Sequence, residues 1–139
     1  MDNTVHLVSK LNYLMKQYIV TELEKQGIND IVPSHGDIIA SLLKNDSLTM
    51  NELALKIGKD PSTVTTLVKK LNVLGYTKVE KDFNDKRANR VSLTLKGKEL
   101  KPVFLNISEN IYNKQYQNID ENEKNIFRNI LEKMIQNLN

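Results

Sequence analysis

The spacing of the apolar residues changes at Gly75, and this change constrains the fold more than any other feature of the sequence. Upstream of Gly75, apolar residues recur at helical intervals. Downstream, Tyr76–Glu80 and Arg90–Thr94 alternate as strands do, on either side of the polar loop 82–89. A helix followed at once by a two-stranded hairpin predicts a wing joined to a helix.

The helix before Gly75 has a second helix directly upstream. Asp60 and Pro61 are typical of an N-cap and a first helical residue. Thr49–Glu52 predicts a capping box that opens a shorter helix, which Gly58 ends. Two helices joined by about three residues around a glycine form a helix-turn-helix pattern. The apolar stripe of the second helix consists of Val64, Leu67, Val68, Leu71 and Leu74.

Helical spacing also dominates both ends of the chain. The segment from Thr4 to about Gln26 predicts one amphipathic helix, and Ser34–Asp37 predicts a capping box that opens another. Asp120–Glu123 is a further capping box, and an apolar stripe follows it. We expect Thr94 to cap a helix in which Pro102, because it lacks an N–H donor, causes a bend or sets the packing angle.

These elements predict a fold that is mainly α with a small β-hairpin wing. Residues 33–94 form a winged helix-turn-helix, and residues 1–32 and 95–139 form a helical dimerisation region intertwined with it. The apolar stripes of the three terminal helices exceed what so small a winged unit can cover. The chain is therefore expected to form a homodimer.

The composition excludes several classes of protein. The 139 residues suffice for one domain with a real core, and no apolar run approaches the roughly 18 to 20 residues of a membrane span. The N-terminus lacks a basic and apolar leader, so we expect a cytoplasmic protein. The chain has no cysteine, which rules out disulfides, thiol redox chemistry and thiolate metal sites.

The positive charge is concentrated in one third of the chain. Segment 59–90 holds eight basic and four acidic residues, a net charge of +4, whereas the remainder has a net charge of −1. Such a local excess is typical of a phosphate-binding surface. Double-stranded DNA is the predicted partner.

The polar side of the second helix matches the chemistry of base edges. Short hydroxyls allow close approach, and a threonine methyl can meet a thymine methyl. Lysines one turn later can neutralise flanking phosphates, and the helix N-terminus can donate amides to a phosphate. The alternative is a solvated face without a ligand. The predicted contacts on this helix are Pro61, Ser62, Thr63, Thr65, Thr66, Lys69 and Lys70.

The wing adds three cations within five residues: Lys86, Arg87 and Arg90. An arginine on a narrow projection suits the minor groove, where negative potential is concentrated at narrow A·T-rich stretches. Arg90 lies at the base of a strand, so a local ion pair is as reasonable as a phosphate contact. Asp82 and Asp85 are expected to cap turns or to orient an arginine.

Two motifs resemble those of a known family. The run Asp60–Leu71 is followed by Gly75-Tyr76, and the pattern D-x-R-x-x-x-V-x-L-T-x-x-G runs from Asp85 to Gly97. They look like the recognition helix and the wing signature of the MarR family of multiple-antibiotic-resistance-type regulators. The resemblance covers nearly the whole chain. It implies a homodimer whose first and last two helices interlock, a palindromic operator, and repression relieved by a small molecule or an oxidant.

The residues present exclude some of the signals that members of this family sense. Peroxide-sensing members use a cysteine near the N-terminus, which this chain lacks. A zinc site needs clustered histidines and carboxylates, and only His6 and His35 are present, so we expect no metal and no cofactor. The remaining hypothesis is a small aromatic ligand that binds in a pocket lined by Tyr13 and His35. The alternatives are packing for Tyr13, an exposed helix-start position for His35, and operation without a ligand.

Catalysis is not expected, because no glycine-rich phosphate loop, Ser/His/Asp grouping or metal-ligand spacing occurs. The leading hypothesis is a sequence-specific regulator, most simply a repressor. The alternative is a winged-helix module that binds proteins or coats DNA without sequence preference.

Overall fold

The computed structural model describes all 139 residues and confirms the predicted class, mainly α with a small wing. Its elements are α1 (Thr4–Lys25), α2 (Pro33–Lys44), β1 (Leu48–Thr49), α3 (Met50–Ile57), α4 (Pro61–Val73), β2 (Thr77–Lys81), β3 (Asn89–Leu93), α5 (Leu95–Lys98), α6 (Lys101–Gln115) and α7 (Glu121–Leu138). None of the helices combines the length and the apolar character that crossing a membrane requires.

The helix-turn-helix begins and ends at the residues that the sequence predicts. Thr49 Oγ1 accepts the amide of Glu52 at 3.1 Å, and the Glu52 carboxylate accepts the amide of Thr49 at 3.4 Å. Gly58 ends α3 with a φ of +68°, in the left-handed region that favours glycine. Asp60 caps α4, and Pro61 is its first residue. The caps therefore set the turn between α3 and α4.

Helix α2 begins two residues earlier than predicted, since a cap at Ser34 would make His35 the first helical residue. Pro33 occupies the first helical position, where its fixed φ suits the helix and no N–H is needed. Ser34 is therefore inside the helix, and the predicted capping box at Ser34–Asp37 is wrong. Instead, His35 Nδ1 accepts the amide of Val32 at 3.1 Å.

The helix predicted after Thr94 is two helices. Thr94 Oγ1 accepts the amide of Gly97 at 3.2 Å and so caps α5, as expected. However, α5 ends at Lys98, and Pro102 lies in the first turn of α6, where a missing N–H costs nothing. Of the two effects predicted for Pro102, the bend within one helix is therefore wrong, because the chain breaks before the proline.

The wing belongs to a three-stranded antiparallel sheet with the order β1-β3-β2. The hairpin pairs Thr77 with Leu93 at its base and Lys81 with Asn89 at its tip, so each strand lies one residue nearer the loop than predicted. Strand β1 pairs Leu48 with Val91 and was not predicted, because two residues show no alternation.

The core lies in the winged unit, between α2, α3, α4 and the sheet. Its fully buried side chains are Ile38, Ile39, Leu53, Val64, Val68, Leu71 and Val91. Leu23 of α1 and Ile107 of α6 extend this core, and α1 packs on α6. Helix α7, by contrast, buries none of its residues.

The winged unit and α5 meet at a contact that only glycine allows. The carbonyl of Tyr76 accepts the amide of Thr94 at 3.0 Å. A Cβ at position 97 would overlap this carbonyl oxygen and would lie 2.9 Å from Leu93 Cδ2. The glycine that ends the wing signature is thus required by close backbone approach.

Gly97→Ala should lower the free energy of unfolding by about 1–3 kcal/mol, since the added methyl meets backbone that has no room to move. Urea denaturation of the purified chain measures this change. Gly36→Ala is the matched control, because its Cβ meets only Phe104 Cε2 at 4.0 Å, inside a helix. That variant should keep or slightly increase stability. A Gly97→Ala chain as stable as the wild type would contradict the close contact.

Candidate nucleic-acid interface

The exposed face of α4 presents hydroxyls and lysines, as the sequence predicts. The Thr65 hydroxyl donates to the carbonyl of Pro61 at 2.9 Å, and the Thr66 hydroxyl donates to the carbonyl of Ser62 at 3.2 Å. Because these hydrogens are used within the helix, both oxygens are left with acceptor capacity only. Lys69 and Lys70 follow on the same exposed face and form no ion pair with the chain's carboxylates.

The N-terminus of α4 is occupied by its own cap. The Asp60 carboxylate accepts the hydroxyl of Ser62 and, at 2.9 Å each, the amide and the hydroxyl of Thr63. These bonds lower the pKa of Asp60 to about 2, so its charge persists at any physiological pH. The expectation that this helix end offers amides to a phosphate is therefore wrong for the Thr63 amide, because this amide already donates to the Asp60 carboxylate.

The wing loop is organised by its two aspartates, as expected. Asp82 Oδ2 accepts the amides of Asn84 and Asp85 at 3.2 and 2.9 Å, and Asp85 Oδ1 accepts the amide of Arg87 at 3.0 Å. The carboxylates thus face the loop backbone. Lys86 and Arg87 point outward, and the Arg87 side chain is 94% exposed, with a loose 3.5 Å approach to Asp85.

Arg90 occupies a different environment from the other wing cations. Its Nε donates to Ser47 Oγ at 2.8 Å, its Nη2 donates to the Ser47 carbonyl at 3.1 Å, and its Nη1 donates to Asp82 Oδ1 at 3.1 Å. Glu52 lies 3.7 Å from the same guanidinium. The Arg90 hydrogen bond keeps the pKa of Asp82 below its ordinary value. Of the two interpretations left open for Arg90, the geometry favours the local ion pair.

A contact that the sequence did not predict ties the winged unit to the α1–α2 connection. The Tyr76 hydroxyl lies 3.0 and 3.1 Å from the two carboxylate oxygens of Asp30, to which it donates its single hydrogen. Burial, aided by Asp30, raises the pKa of Tyr76 and keeps the donor protonated. The two residues are 46 positions apart, so no local pattern in the sequence could have signalled this pair.

Comparison with known proteins places this geometry among regulators. The family model described as "Winged helix DNA-binding domain" matches residues 37–108, about half of the chain. The HTH-type transcriptional regulator SarZ of Staphylococcus aureus strain MRSA252 is 32% identical over 107 residues, which cover 73% of this chain and 71% of that protein. SarZ of Staphylococcus saprophyticus is 30% identical over 84 residues, and the match spans 60% of this chain and 58% of the length of that relative.

Solved structures agree along the whole chain. A MarR transcriptional regulator from Methanosarcina mazei Go1 superimposes with a TM-score of 0.82 at 26% identity, covering 96% of this chain and 94% of that one. The chain belongs to the MarR family. The S. aureus MepR–DNA complex shares the fold, with a TM-score of 0.86, 24% identity and 99% coverage of both chains. The SarZ proteins and the Methanosarcina mazei protein are transcriptional regulators.

This MarR-family chain contains a cavity of about 380 Å³ between α1, α2 and α6. Its walls are largely apolar and include Leu23, Leu43 and Phe104, while the polar groups at its surface include Lys44 and Lys101. Neither Tyr13 nor His35, the residues expected to line a ligand site, belongs to it. The role of Tyr13 and His35 in binding a ligand stays a prediction.

Of the two alternatives, the exposed helix-start position is wrong for His35, and packing of Tyr13 does not occur within one protomer. Tyr13 is 61% exposed on α1 rather than packed, and His35 is only 7% exposed rather than at the surface. Burial lowers the pKa of the His35 imidazole, and the nearby charge of Lys70 lowers it further, while Asp30 opposes the shift. His35 is therefore a neutral acceptor for the Val32 amide.

The stability of the chain should decrease as the pH falls through about 6.5. The unfolded chain gains a proton on His35 near pH 6.5, whereas the folded chain resists protonation until a lower pH, so acid favours unfolding. The slope cannot exceed about 1.4 kcal/mol per pH unit for this one proton. Urea unfolding at pH 7.5, 6.5 and 5.5 measures it. His35→Asn should remove the dependence, and the exposed His6→Gln should retain it; equal slopes in both variants would contradict this role for His35.

Proposed function

We propose that the chain binds a palindromic operator as a homodimer and represses transcription. The observation that carries this proposal is the position of the hydroxyl-rich face of α4 and the cationic wing loop on one packed unit, in which α4 contacts β2. Each protomer would supply one recognition helix and one wing. The winged units of the two protomers would contact half-sites about one helical turn of DNA, roughly 10 bp, apart.

The chemistry of α4 favours recognition in the major groove. The acceptor oxygens of Thr65 and Thr66 suit the amino groups of adenine N6 and cytosine N4, and the threonine methyls suit the thymine methyl. Lys69 and Lys70 can neutralise phosphates at the edge of the groove, which gives affinity and register without sequence information. The predicted contacts with Pro61, Ser62 and Thr63 lie at the capped first turn of the same helix.

The wing supplies the second contact. Lys86 and Arg87 extend from a loop whose backbone is held by Asp82 and Asp85, so the cations reach outward from a fixed base. A guanidinium on such a projection can enter a narrow A·T-rich minor groove, where the potential is most negative. In this proposal Arg90 connects the wing to Ser47 and Asp82 and does not contact a phosphate.

The exposed apolar residues of the terminal helices support the homodimer. Residues 1–32 and 95–139 would act as the dimerisation region, because their helices carry apolar side chains that their own protomer leaves in water. A self-complementary apolar surface on terminal helices is what a twofold interface requires. The large exposed apolar residues of α1 and α7 are Val5, Leu7, Val8, Leu11, Tyr13, Leu14, Ile126, Phe127, Ile130, Ile135 and Leu138.

Selection from random duplexes tests the central proposal. A sequence-specific homodimer should enrich an inverted repeat, and the two halves should be about one helical turn apart. Enrichment of a single half-site would exclude the palindrome, and a failure to enrich any sequence would favour the alternative module that coats DNA or binds proteins.

Substitutions on the reading surface should weaken operator binding without unfolding the chain. Thr65→Ala and Arg87→Ala should each raise Kd about tenfold, with the Arg87 effect greatest at operators with A·T-rich flanks. Lys69→Ala should lower affinity for all sequences and reduce the slope of log K against log salt by about one. A salt-controlled titration measures these changes, with Lys114→Ala on α6 as the control. Wild-type affinity in all three variants would show that the assigned surface is wrong.

Arg90→Ala separates positioning from contact. This variant removes the hydrogen bonds to Ser47 and Asp82, so it should lower the melting temperature as well as the affinity. Arg87→Ala should lower the affinity alone, because the Arg87 side chain is almost fully exposed.

The cavity between α1, α2 and α6 supports release by a small aromatic acid. Its apolar walls fit an aromatic ring, and Lys44 and Lys101 at its surface can pair with a carboxylate. A ligand held between a dimerisation helix and the winged unit would favour one relative placement of the two, and operator affinity would change with it.

Aromatic acids that occupy the cavity should raise the melting temperature in a concentration-dependent way, because they bind only the folded chain. At a ligand concentration about 100-fold above Kd, the added stability is about 2.7 kcal/mol. Lys101→Gln should reduce the shift, whereas Lys114→Gln, at the far end of α6, should retain it. An unchanged melting temperature across a panel of such acids would exclude this ligand class.

A further inference from the structure

We propose that Phe83 is a wedge at the tip of each wing, which packs into the minor groove and favours operators with a deformable base step at that place. This inference rests on the proposed operator binding and deepens it. It assigns to the wing a specificity determinant that is apolar, besides the cations already described.

The loop backbone presents Phe83 outward. Asp82 Oδ2 accepts the amides of Asn84 and Asp85, which closes a turn around Phe83, and the amide of Asp82 donates to the carbonyl of Ala88 at 2.9 Å. Arg90 in turn holds the other Asp82 oxygen. The ring therefore extends from a turn that is fixed from within by hydrogen bonds.

Nothing in the protomer covers this ring. Phe83 is 96% exposed and is the most exposed of the eight aromatic residues of the chain. The other exposed aromatic side chains, Tyr13 and Phe127, lie on α1 and α7, where the proposed second protomer would cover them. Phe83 lies at the far end of the wing hairpin, beyond the pair formed by Lys81 and Asn89.

The charges around Phe83 favour a polyanion as its partner. Lys81, Lys86 and Arg87 surround the turn in sequence and are exposed, whereas Asp82 and Asp85 face the loop backbone and its arginines. An aromatic ring among outward cations matches a groove walled by phosphates, because the cations meet the phosphates while the ring meets sugars and bases. An apolar protein surface would leave these cations without partners.

The cost of inserting such a ring depends on the DNA sequence. Apolar side chains that enter the minor groove partly unstack a base step, and pyrimidine–purine steps such as TA and CA unstack most easily, whereas A-tracts are stiff. Phe83 should therefore add affinity at operators that place a flexible step beneath the wing. Arg87 alone would prefer the narrow, stiff A-tract, so the two side chains make opposite demands on the flank.

A fluorescence experiment tests the contact directly. The chain contains no tryptophan, so Phe83→Trp places a single indole at the wing tip. Addition of the selected operator should quench and shift the indole emission of this variant, because the indole stacks on sugars or bases. Leu95→Trp on α5, at a position 74% exposed, is the control and should change little. Operator binding by the Phe83→Trp chain without any change in its emission would overturn the inference while leaving the proposed function intact.

Affinity measurements test the specificity. Phe83→Ala should raise Kd about tenfold for operators with a TA or CA step under the wing and about twofold or less for those with an A-tract. Phe83→Leu should restore most of the loss, since the wedge requires apolar bulk. An equal loss for both operators, or none, would overturn the inference, whereas a wild-type chain that binds neither would overturn the proposed function with it.

A vesicle experiment separates DNA from the other polyanionic surface that a basic, aromatic tip could meet. Vesicles with phosphatidylserine should leave the emission of the Phe83→Trp chain unchanged. A blue shift on these vesicles with no response to operator would assign the tip to an anionic membrane and overturn the inference.

Discussion

The winged unit depends on the close contact between the carbonyl of Tyr76 and Gly97 of α5. At this point the end of α4, the start of β2 and the cap of α5 approach to backbone distance. The Tyr76 ring is buried, and Lys96 Nζ lies 4.4 Å from the ring centroid. The Tyr76 hydroxyl donates to Asp30. Tyr76 thus links α4 to the wing on one side and to the α1–α2 connection on the other.

The wing shows how one residue type can have two roles within four positions. Arg87 is solvated and bonds loosely, so its charge remains available to a partner. Arg90 is two-thirds buried and is bound by Ser47 and Asp82, so its charge is neutralised within the fold. Charge counting along the sequence treats the two arginines alike. Only the position of Ser47, 43 residues away, separates the arginine that is bound within the fold from the one that stays in solvent.

Features that depend on local chemistry could be predicted from the sequence. The caps at Thr49, Asp60 and Asp120 and the hairpin with its polar loop follow from residues within a few positions of one another. Features that depend on distant partners could not. Strand β1 exists because β3 offers it an edge, and the burial of His35 depends on how α2 packs.

The candidate site also combines features that local sequence predicts with features that depend on distant residues. The outward face of α4 and the exposed Lys86 and Arg87 follow from helical periodicity and loop polarity. The cavity could not be assigned to residues, because its walls come from three helices separated by up to about 90 positions. Residue type suggests Tyr13 and His35 as ligand contacts, but the direction of their side chains depends on tertiary packing.

Helix α7 has a consequence for how such a regulator responds to its own abundance. Because no residue of α7 is fully buried within its protomer, a lone chain carries a long amphipathic helix whose apolar side is mostly exposed to water. With the proposed dimer, completion of the fold and assembly of the operator-binding form become one event that scales with the square of protomer concentration. Operator occupancy then rises steeply around a threshold amount of protein, and protomers below that threshold are the form most open to cellular proteases. The helix farthest along the chain from the reading surface would in this way set the dose at which the gene is silenced.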